Sequence, residues 1–303
     1  MKTVYLTVLS ILAFAGNSVL CRMALVGDQI DPMSFSAIRL FSGAITLLVL
    51  IVLLNRPNTP VAIADWRLRP QHLLGAGSLL SYAVLFSFAY IELSTGIGAL
   101  LLFTSVQVCM LLWALINREQ ISAIKWLGSS LAIVGLVVLL APDSISLVSD
   151  KGSEQEAFST QTTWQYSLMM IASGFAWGVY TINGRSSRNP LRDTTLNFCL
   201  SLPLIFIAWW LYQASIMMNI NGFILACLSG AVTSAMGYAI WYAVLPKLST
   251  PVAASAQLMA PLVAALAGAL LVQEAISWQF LLAFALVSTG ILLTVLTFKQ
   301  PSE

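Results

Sequence analysis

One cation, Arg39, interrupts an otherwise apolar stretch and is the residue whose type and position point most directly to chemistry. It lies about 10 Å from the end of its predicted helix, at a rise of about 1.5 Å per residue. A charge at that depth needs a partner, and a charged side chain inside a membrane helix is a functional hypothesis by default. Structurally, Arg39 could pair with a carboxylate such as Glu92 or extend toward headgroups. Functionally, it could attract an anionic substrate group, and the residues leave both interpretations open.

Two glutamates, Glu119 and Glu274, end apolar runs within similar sequences, Glu-Gln-Ile-Ser and Glu-Ala-Ile-Ser. Helix capping or loop pairing explains such residues, and gating is the alternative. No Asp or Glu lies deep inside an apolar run, so a buried carboxylate relay for protons is not supported. Pro261 lies inside a predicted helix and can kink it, which frees a carbonyl. Arg39, Glu119, Pro261 and Glu274 are therefore predicted to have gating or structural roles.

Polar and aromatic residues within the apolar runs are the candidates for the wall of a binding cavity. A buried amide without a partner costs several kcal/mol, so the side-chain amides of Asn17, Gln107 and Gln257 should face the protein interior. Contacts between helices explain them as well as contacts with a substrate do. The ten candidates are Asn17, Ser18, Tyr82, Phe86, Gln107, Trp177, Tyr180, Tyr238, Trp241 and Gln257. The single histidine, His72, is expected on the surface.

The composition predicts a membrane protein. Of the 303 residues, 59% are hydrophobic and 9% charged, whereas a soluble domain has about 25% charged residues. The net charge of +2 and the absence of Lys/Arg-rich stretches argue against nucleic acid as a partner. The four cysteines stand alone, so neither a zinc site nor a disulfide framework is expected. With one histidine, no deep carboxylate and no cluster with metal-ligand spacing, no cofactor is expected and the chain is not predicted to be an enzyme.

Ten apolar runs are long enough to cross the hydrocarbon core as helices, which needs about 20 residues each. They lie near 4–21, 33–54, 73–91, 95–116, 124–141, 165–184, 195–212, 221–245, 248–272 and 278–298. With the N-terminus in the cytoplasm, eleven Lys and Arg residues fall inside and two, Arg22 and Lys151, fall outside. The positive-inside rule therefore predicts cytoplasmic N- and C-termini.

An internal repeat divides the chain. A shift of 155 residues places Leu93-Ser94-Thr95 over Leu248-Ser249-Thr250 and Glu119 over Glu274. Each half then has five spans, and an odd number inverts the second copy relative to the first. Inverted repeats of this kind are typical of secondary transporters. We predict an all-α membrane protein with two inverted five-helix repeats, at 1–141 and 164–303, joined by an external linker at 142–163.

The chain resembles the EamA-like ten-helix members of the drug/metabolite transporter superfamily over nearly its whole length. The matching residues include Ala37-Ile38-Arg39-Leu40, the two Leu-Ser-Thr turns, Trp177, and Pro261 followed by an apolar run to Glu274. The resemblance implies export or exchange of metabolites, amino acids or toxic compounds through a central cavity between the halves.

We therefore expect a secondary-active transporter that exports or exchanges an amino acid or drug-like solute by alternating access. The alternatives are a lipid flippase or scramblase and a membrane-embedded enzyme. The expected location is the plasma membrane, as in a bacterial inner membrane. The expected partners are a small-molecule substrate and the lipid bilayer. The residues leave open whether the protein forms a homodimer.

Overall fold

The computed structural model describes residues 2–54, 68–118, 123–140, 156–184, 187, 189–212, 216–244, 247–248, 256–257 and 259–296. Glu119 and residues 142–155 of the predicted linker lie outside these ranges, as do Ser249 and Thr250. The roles predicted for them stay predictions.

Ten helices form the described part of the chain, and no strand longer than an isolated bridge occurs in it. The first half contributes α1 (Lys2–Val26), α2 (Pro32–Leu54), α3 (Pro70–Ala89), α4 (Thr95–Ile116) and α5 (Ala123–Leu140). The second half contributes α6 (Glu156–Gly184), α7 (Pro190–Tyr212), α8 (Ile220–Val244), α9 (Met259–Leu271) and α10 (Trp278–Leu296). The predicted all-α fold with ten helices is confirmed.

Six of these helices, α1 to α4, α7 and α8, are long and apolar enough to cross a membrane by themselves. The apolar parts of α5, α9 and α10 are shorter within the described residues. Helix α6 begins at Glu156. Polar residues that precede the apolar run thus continue this helix into the stretch predicted as the external linker, 142–163, and the division into two repeats with that linker stays a prediction.

The two halves interleave across their whole length. Helix α5 packs on α10, α4 packs on α6, and α3 packs on α6 and α7, while α2 packs on α7 and α8, and α1 packs on α8 and α9. If each helix is exchanged for its counterpart five helices later, this set of contacts maps onto itself. For example, the contact of α3 with α6 becomes that of α8 with α1. This is the pattern expected of two inverted repeats related by a two-fold axis.

Helix α8 contains a π-helical segment, Ser229–Met236, between the α-helical segments Ile220–Leu228 and Gly237–Val244. Such segments are rare and often lie at functional sites. Gly230 within it packs directly on the backbone carbonyl of Arg39 in α2, where a side chain would collide. The π segment therefore brings two helices of different halves into backbone contact beside a buried charge.

Loop contacts show which helix ends share a face of the protein. Ile30, between α1 and α2, forms a bridge with Met218, between α7 and α8. The backbone N–H of Asp31 also donates to the carbonyl of Met217 at 2.8 Å. The connections after α1 and α7 therefore lie on one face, here called the distal face. The face where α1 begins is called the N-terminal face.

Candidate functional site: a cavity between the halves

A small cavity lies at the seam of the two halves, and side chains from both halves line it. Asn17, Ser18, Tyr82, Phe86, Trp177, Tyr238 and Gln257 are seven of the ten residues predicted for its wall, and Phe14, Leu102 and Phe103 complete it. The cavity volume is ≈ 20 Å³, which is enough for about one water molecule. The site is therefore contracted in this structure, and an organic solute would need its walls to separate.

Aromatic rings form most of the wall, with Trp177 of α6 at their centre. Its ring centroid lies 4.8 Å from that of Tyr82 and 4.9 Å from that of Tyr238. The ring of Tyr180 stacks on Trp177 at 5.2 Å. These rings come from α3, α6 and α8, so the aromatic cluster spans the seam. Flat faces of this kind bind apolar or cationic groups by stacking.

A buried amide connects the two halves next to the rings. Asn17 of α1 donates from Nδ2 to the Tyr82 hydroxyl at 3.1 Å. Its Oδ1 accepts hydrogen bonds from Ser229 at 2.7 Å and Thr233 at 3.3 Å, both in the π segment of α8. The amide is thus satisfied by helix contacts, and it also faces the cavity.

Arg39 lies directly behind this wall and is only 2% exposed. Its Nε donates to Ser234 Oγ at 3.1 Å, and its Nη2 donates to the Tyr82 hydroxyl at 2.9 Å. The guanidinium carbon lies 5.0 Å from the ring centroids of Tyr82 and Phe86. Pairing with Glu92, one of the structural interpretations, is wrong, because Glu92 is exposed and Arg39 bonds to neutral partners. Extension to headgroups is also wrong, because the side chain is buried.

An ion pair joins the two halves at the distal face. Arg22, near the end of α1, donates from Nε to Glu274 Oε1 at 2.9 Å. Its Nη1 donates to the carbonyls of Tyr90 and Ile91 at 3.0 and 2.6 Å. Glu274 Oε2 accepts from the backbone N–H of Thr95 at 2.8 Å, at the start of α4. Glu274 therefore caps α4 and joins the two halves, and its predicted gating role stays a prediction.

A second set of contacts between the halves lies at the N-terminal face. His72, at the start of α3, is 2% exposed, and its Nε2 lies 3.5 Å from Asp193 Oδ1 at the start of α7. Asp193 also accepts hydrogen bonds from Arg192 at 2.7 Å and Ser187 at 2.6 Å. The expectation of a surface histidine is wrong, because α7 covers the N-terminal end of α3. Nearby, Asn183 of α6 donates to the carbonyl of Gln71 at 2.7 Å.

Three predicted wall residues lie outside the cavity lining. Tyr180 forms a second layer behind Trp177, and Trp241 packs edge-on against Phe14 at 5.7 Å. Gln107 is half-buried on α4, apart from the lining. Pro261 is buried near the start of the described α9. The sequence analysis missed Phe14, Leu102 and Phe103, because an apolar residue in a span carries no signal that separates cavity from lipid.

Within the described ranges, no group of three or more His, Cys, Asp or Glu side chains is arranged to hold a metal ion. The polar groups that line the cavity are amides and hydroxyls. Such groups can form hydrogen bonds with a polar solute.

Comparison with known proteins places the chain among membrane transporters. The model of the EamA-like transporter family matches residues 1–141 and 164–296. The uncharacterized protein PA1977 of Pseudomonas aeruginosa is 43% identical over 273 residues, which cover 90% of this chain and 87% of that protein. A probable amino-acid metabolite efflux pump of Salmonella typhimurium is 22% identical, over 98% of this chain and 96% of the pump. One crystal structure has the same fold, with a TM-score of 0.67 and 15% identity over 99% of both chains.

Proposed function

The chain belongs to the EamA-like transporter family, and from this premise we propose that it is a secondary-active transporter that exports or exchanges a small metabolite by alternating access. The observation that carries the proposal is the seam between the inverted halves. The seam holds a polar and aromatic cavity, and side chains from opposite halves bridge it on both faces. A membrane protein that must never be open to both sides at once needs such closures.

The two closures supply a physical basis for alternating access. The contact of Arg22 with Glu274 holds α1 against the second half at the distal face. At the N-terminal face, Asn183 of α6 donates a hydrogen bond to the Gln71 carbonyl of α3, and His72 of α3 lies 3.5 Å from Asp193 of α7. Opening either one while the other holds would expose the cavity to a single compartment. The contracted cavity then corresponds to a state in which both closures are made.

The lining restricts the class of solute. Tyr82, Trp177 and Tyr238 offer ring faces, while Asn17 and Gln257 offer amide donors and acceptors. An amino acid or a drug-like solute has the apolar body and the polar head that this mixture suits. The family relationship to an amino-acid metabolite efflux pump supports the same class.

Uptake into proteoliposomes tests the proposal. Purified full-length protein would be reconstituted and loaded with one unlabelled solute, and counterflow of the labelled solute would be measured across amino acids and amphipathic drugs, with and without a pH gradient. We expect saturable counterflow for at least one class. If no class exchanged while labelled lipids crossed the bilayer, the protein would be a lipid scramblase and the proposal would be wrong.

We further propose a plasma-membrane location with both termini in the cytoplasm, so that the N-terminal face is the cytoplasmic face. The excess of Lys and Arg in the loops of that face supports this orientation. Fusing a reporter that is active only in the cytoplasm to the C-terminus would test it, and an inactive, well-expressed fusion would contradict it.

A further inference from the structure

The guanidinium of Arg39 has a buried nitrogen, Nη1, without a hydrogen-bond acceptor, and no described carboxylate balances its charge. Its Nε and Nη2 donate to Ser234 and Tyr82, but Nη1 is buried and has no hydrogen-bond partner. No carboxylate among the residues that the structure describes forms an ion pair with it. Its partners are neutral oxygens and ring faces.

A buried cation of this kind is costly unless something compensates it. Removing a charge from water costs several kcal/mol even after relaxation, and a neutral hydroxyl recovers only part of that cost. The rings of Tyr82 and Phe86, each 5.0 Å from the guanidinium carbon, recover a further part. The protein thus holds a positive charge whose counter-charge does not come from the described part of the chain.

Arg39 is separated from the cavity by one layer of side chains. Both rings that contact its guanidinium, Tyr82 and Phe86, also line the cavity. The Tyr82 hydroxyl accepts from Arg39 Nη2 and from Asn17 Nδ2, so a single cavity residue links the charge to the amide. None of the described residues that line the cavity is a carboxylate. Arg39 is therefore the charged group placed directly behind this described wall.

We propose that Arg39 recognises a carboxylate of the transported solute, and that the apolar body of the solute stacks on Trp177 and Tyr238. This inference rests on the proposed transport function and names the substrate class for it. The carboxylate would accept from Arg39 Nη1 when Tyr82 and Phe86 move apart as the contracted cavity opens. A charge-assisted hydrogen bond with a guanidinium is about twice as strong as a neutral one and is directional. The unpaired donor Nη1 of Arg39 thus selects organic anions and zwitterions over amines and alcohols.

A charge series on one constant body tests the inference. The probes are 3-phenylpropanoate, L-phenylalanine, 3-phenylpropan-1-ol and 3-phenylpropylamine, and their affinities for the purified full-length protein in detergent would be measured by calorimetry. We expect the two carboxylates to bind at least about 10-fold more tightly than the alcohol and the amine, as one charge-assisted bond gives. Equal affinities, tighter binding of the amine or alcohol, or no binding of either carboxylate at millimolar concentration would overturn the proposal.

Variants at Arg39 connect the preference to this side chain. Arg39→Met should abolish the carboxylate preference and leave the affinity for the alcohol unchanged. Arg118→Met, which removes the same charge from an exposed position on the N-terminal face, should keep the wild-type preference. If Arg39→Met does not fold, Arg39→Lys tests whether the carboxylate preference depends on this side chain. It keeps the charge but loses the planar fork, and we expect the preference to fall at least about 3-fold with the alcohol unchanged. An unaltered preference in the folded variant would assign Arg39 a structural role only.

Counterflow of the same four probes separates the two proposals. Flux of the alcohol or amine without a preference for the carboxylates would overturn the role of Arg39 and still support the proposed transport function. Carboxylate binding that depends on Arg39 but gives no flux would support the site and contradict the transport function.

Discussion

Arg22 and Glu274 are 252 positions apart in the chain, yet their side chains form a hydrogen-bonded ion pair of 2.9 Å. Neither side chain is exposed, with 15% and 13% of their surfaces accessible. The pair joins the end of α1 to the connection between α9 and α10, and the other carboxylate oxygen caps α4. A single carboxylate thus holds three helix ends together at the distal face, which makes it a natural point at which that face opens.

Glu274→Gln should weaken this closure and shift the protein toward a state open at the distal face. The amide keeps the shape but loses the charge, so we expect a loss of about 1–3 kcal/mol at a partly buried charged bond. The measurement is the labelling rate of Ser18→Cys, a cavity position, by a membrane-impermeant maleimide in a background whose four native cysteines are replaced by alanine. Labelling from the distal face should accelerate. Arg22→Gln should act in the same direction, and the double variant should add little to either, since both remove the same pair.

Gly268→Ala should open the same face by a steric route. A Cβ at this position of α9 would lie 2.6 Å from Glu274 Oε2 and 2.8 Å from the Thr95 Cβ, so the carboxylate must leave its place beside the N-terminus of α4. We expect faster labelling of the Ser18→Cys reporter from the distal face, as with Glu274→Gln. Gly77→Ala is the matched control, because nothing lies within 4 Å of a Cβ there. Equal behaviour of the two alanine variants would show that Glu274 does not depend on close packing at Gly268.

Much of this arrangement followed from the sequence, because membrane helices obey simple rules. Uninterrupted apolar length predicted the helices. The cost of burying an amide predicted that Asn17, Gln107 and Gln257 face the interior, and Asn17 and Gln257 line the cavity whereas Gln107 does not. The closures were harder to foresee. Arg22 follows its predicted span, and nothing local relates it to Glu274. His72 was misplaced on the surface because its burial depends on how α7 crosses α3, which is a tertiary property.

Trp177→Ala should weaken substrate binding without preventing insertion. Its ring contacts those of Tyr82, Tyr180 and Tyr238, so its loss removes the centre of the aromatic cluster. At about 0.5–1.5 kcal/mol for each aromatic pair that includes the solute, KM for counterflow should rise about 2- to 10-fold. The KM of the Trp177→Phe variant should rise less, because a smaller aromatic ring remains at this position. Trp210→Ala, at a position 72% exposed on α7, should keep the wild-type KM, and a similar rise there would mean that KM reports a general loss of folded protein.

Gly230→Ala should destabilise the protein at the contact of α2 with the π segment of α8. The added methyl would collide with Ser42 Oγ, which can rotate away, and with the Arg39 carbonyl, which cannot withdraw without moving α2. Overpacking of this kind costs about 1–3 kcal/mol, and we expect a lower melting temperature in detergent. The added bulk also pushes apart the helices that hold Arg39 Nε against Ser234. An unchanged melting temperature would show that α8 shifts along α2 at little cost.

Asp193→Asn should act on the opposite face from Glu274→Gln. The carboxylate pairs with Arg192 of its own helix at 2.7 Å and lies 3.5 Å from His72 Nε2 of α3, so removing its charge weakens the polar contact between α7 and α3 at the N-terminal face. If the two faces open alternately, labelling of the Ser18→Cys reporter should accelerate from the N-terminal face and slow from the distal face. The test is the ratio of labelling rates in inside-out vesicles and intact cells. That ratio should move in opposite directions for Asp193→Asn and Glu274→Gln and return toward the wild-type value when the two are combined. Acceleration on both faces by either single variant would mean that the closures open together, which an alternating-access carrier cannot allow.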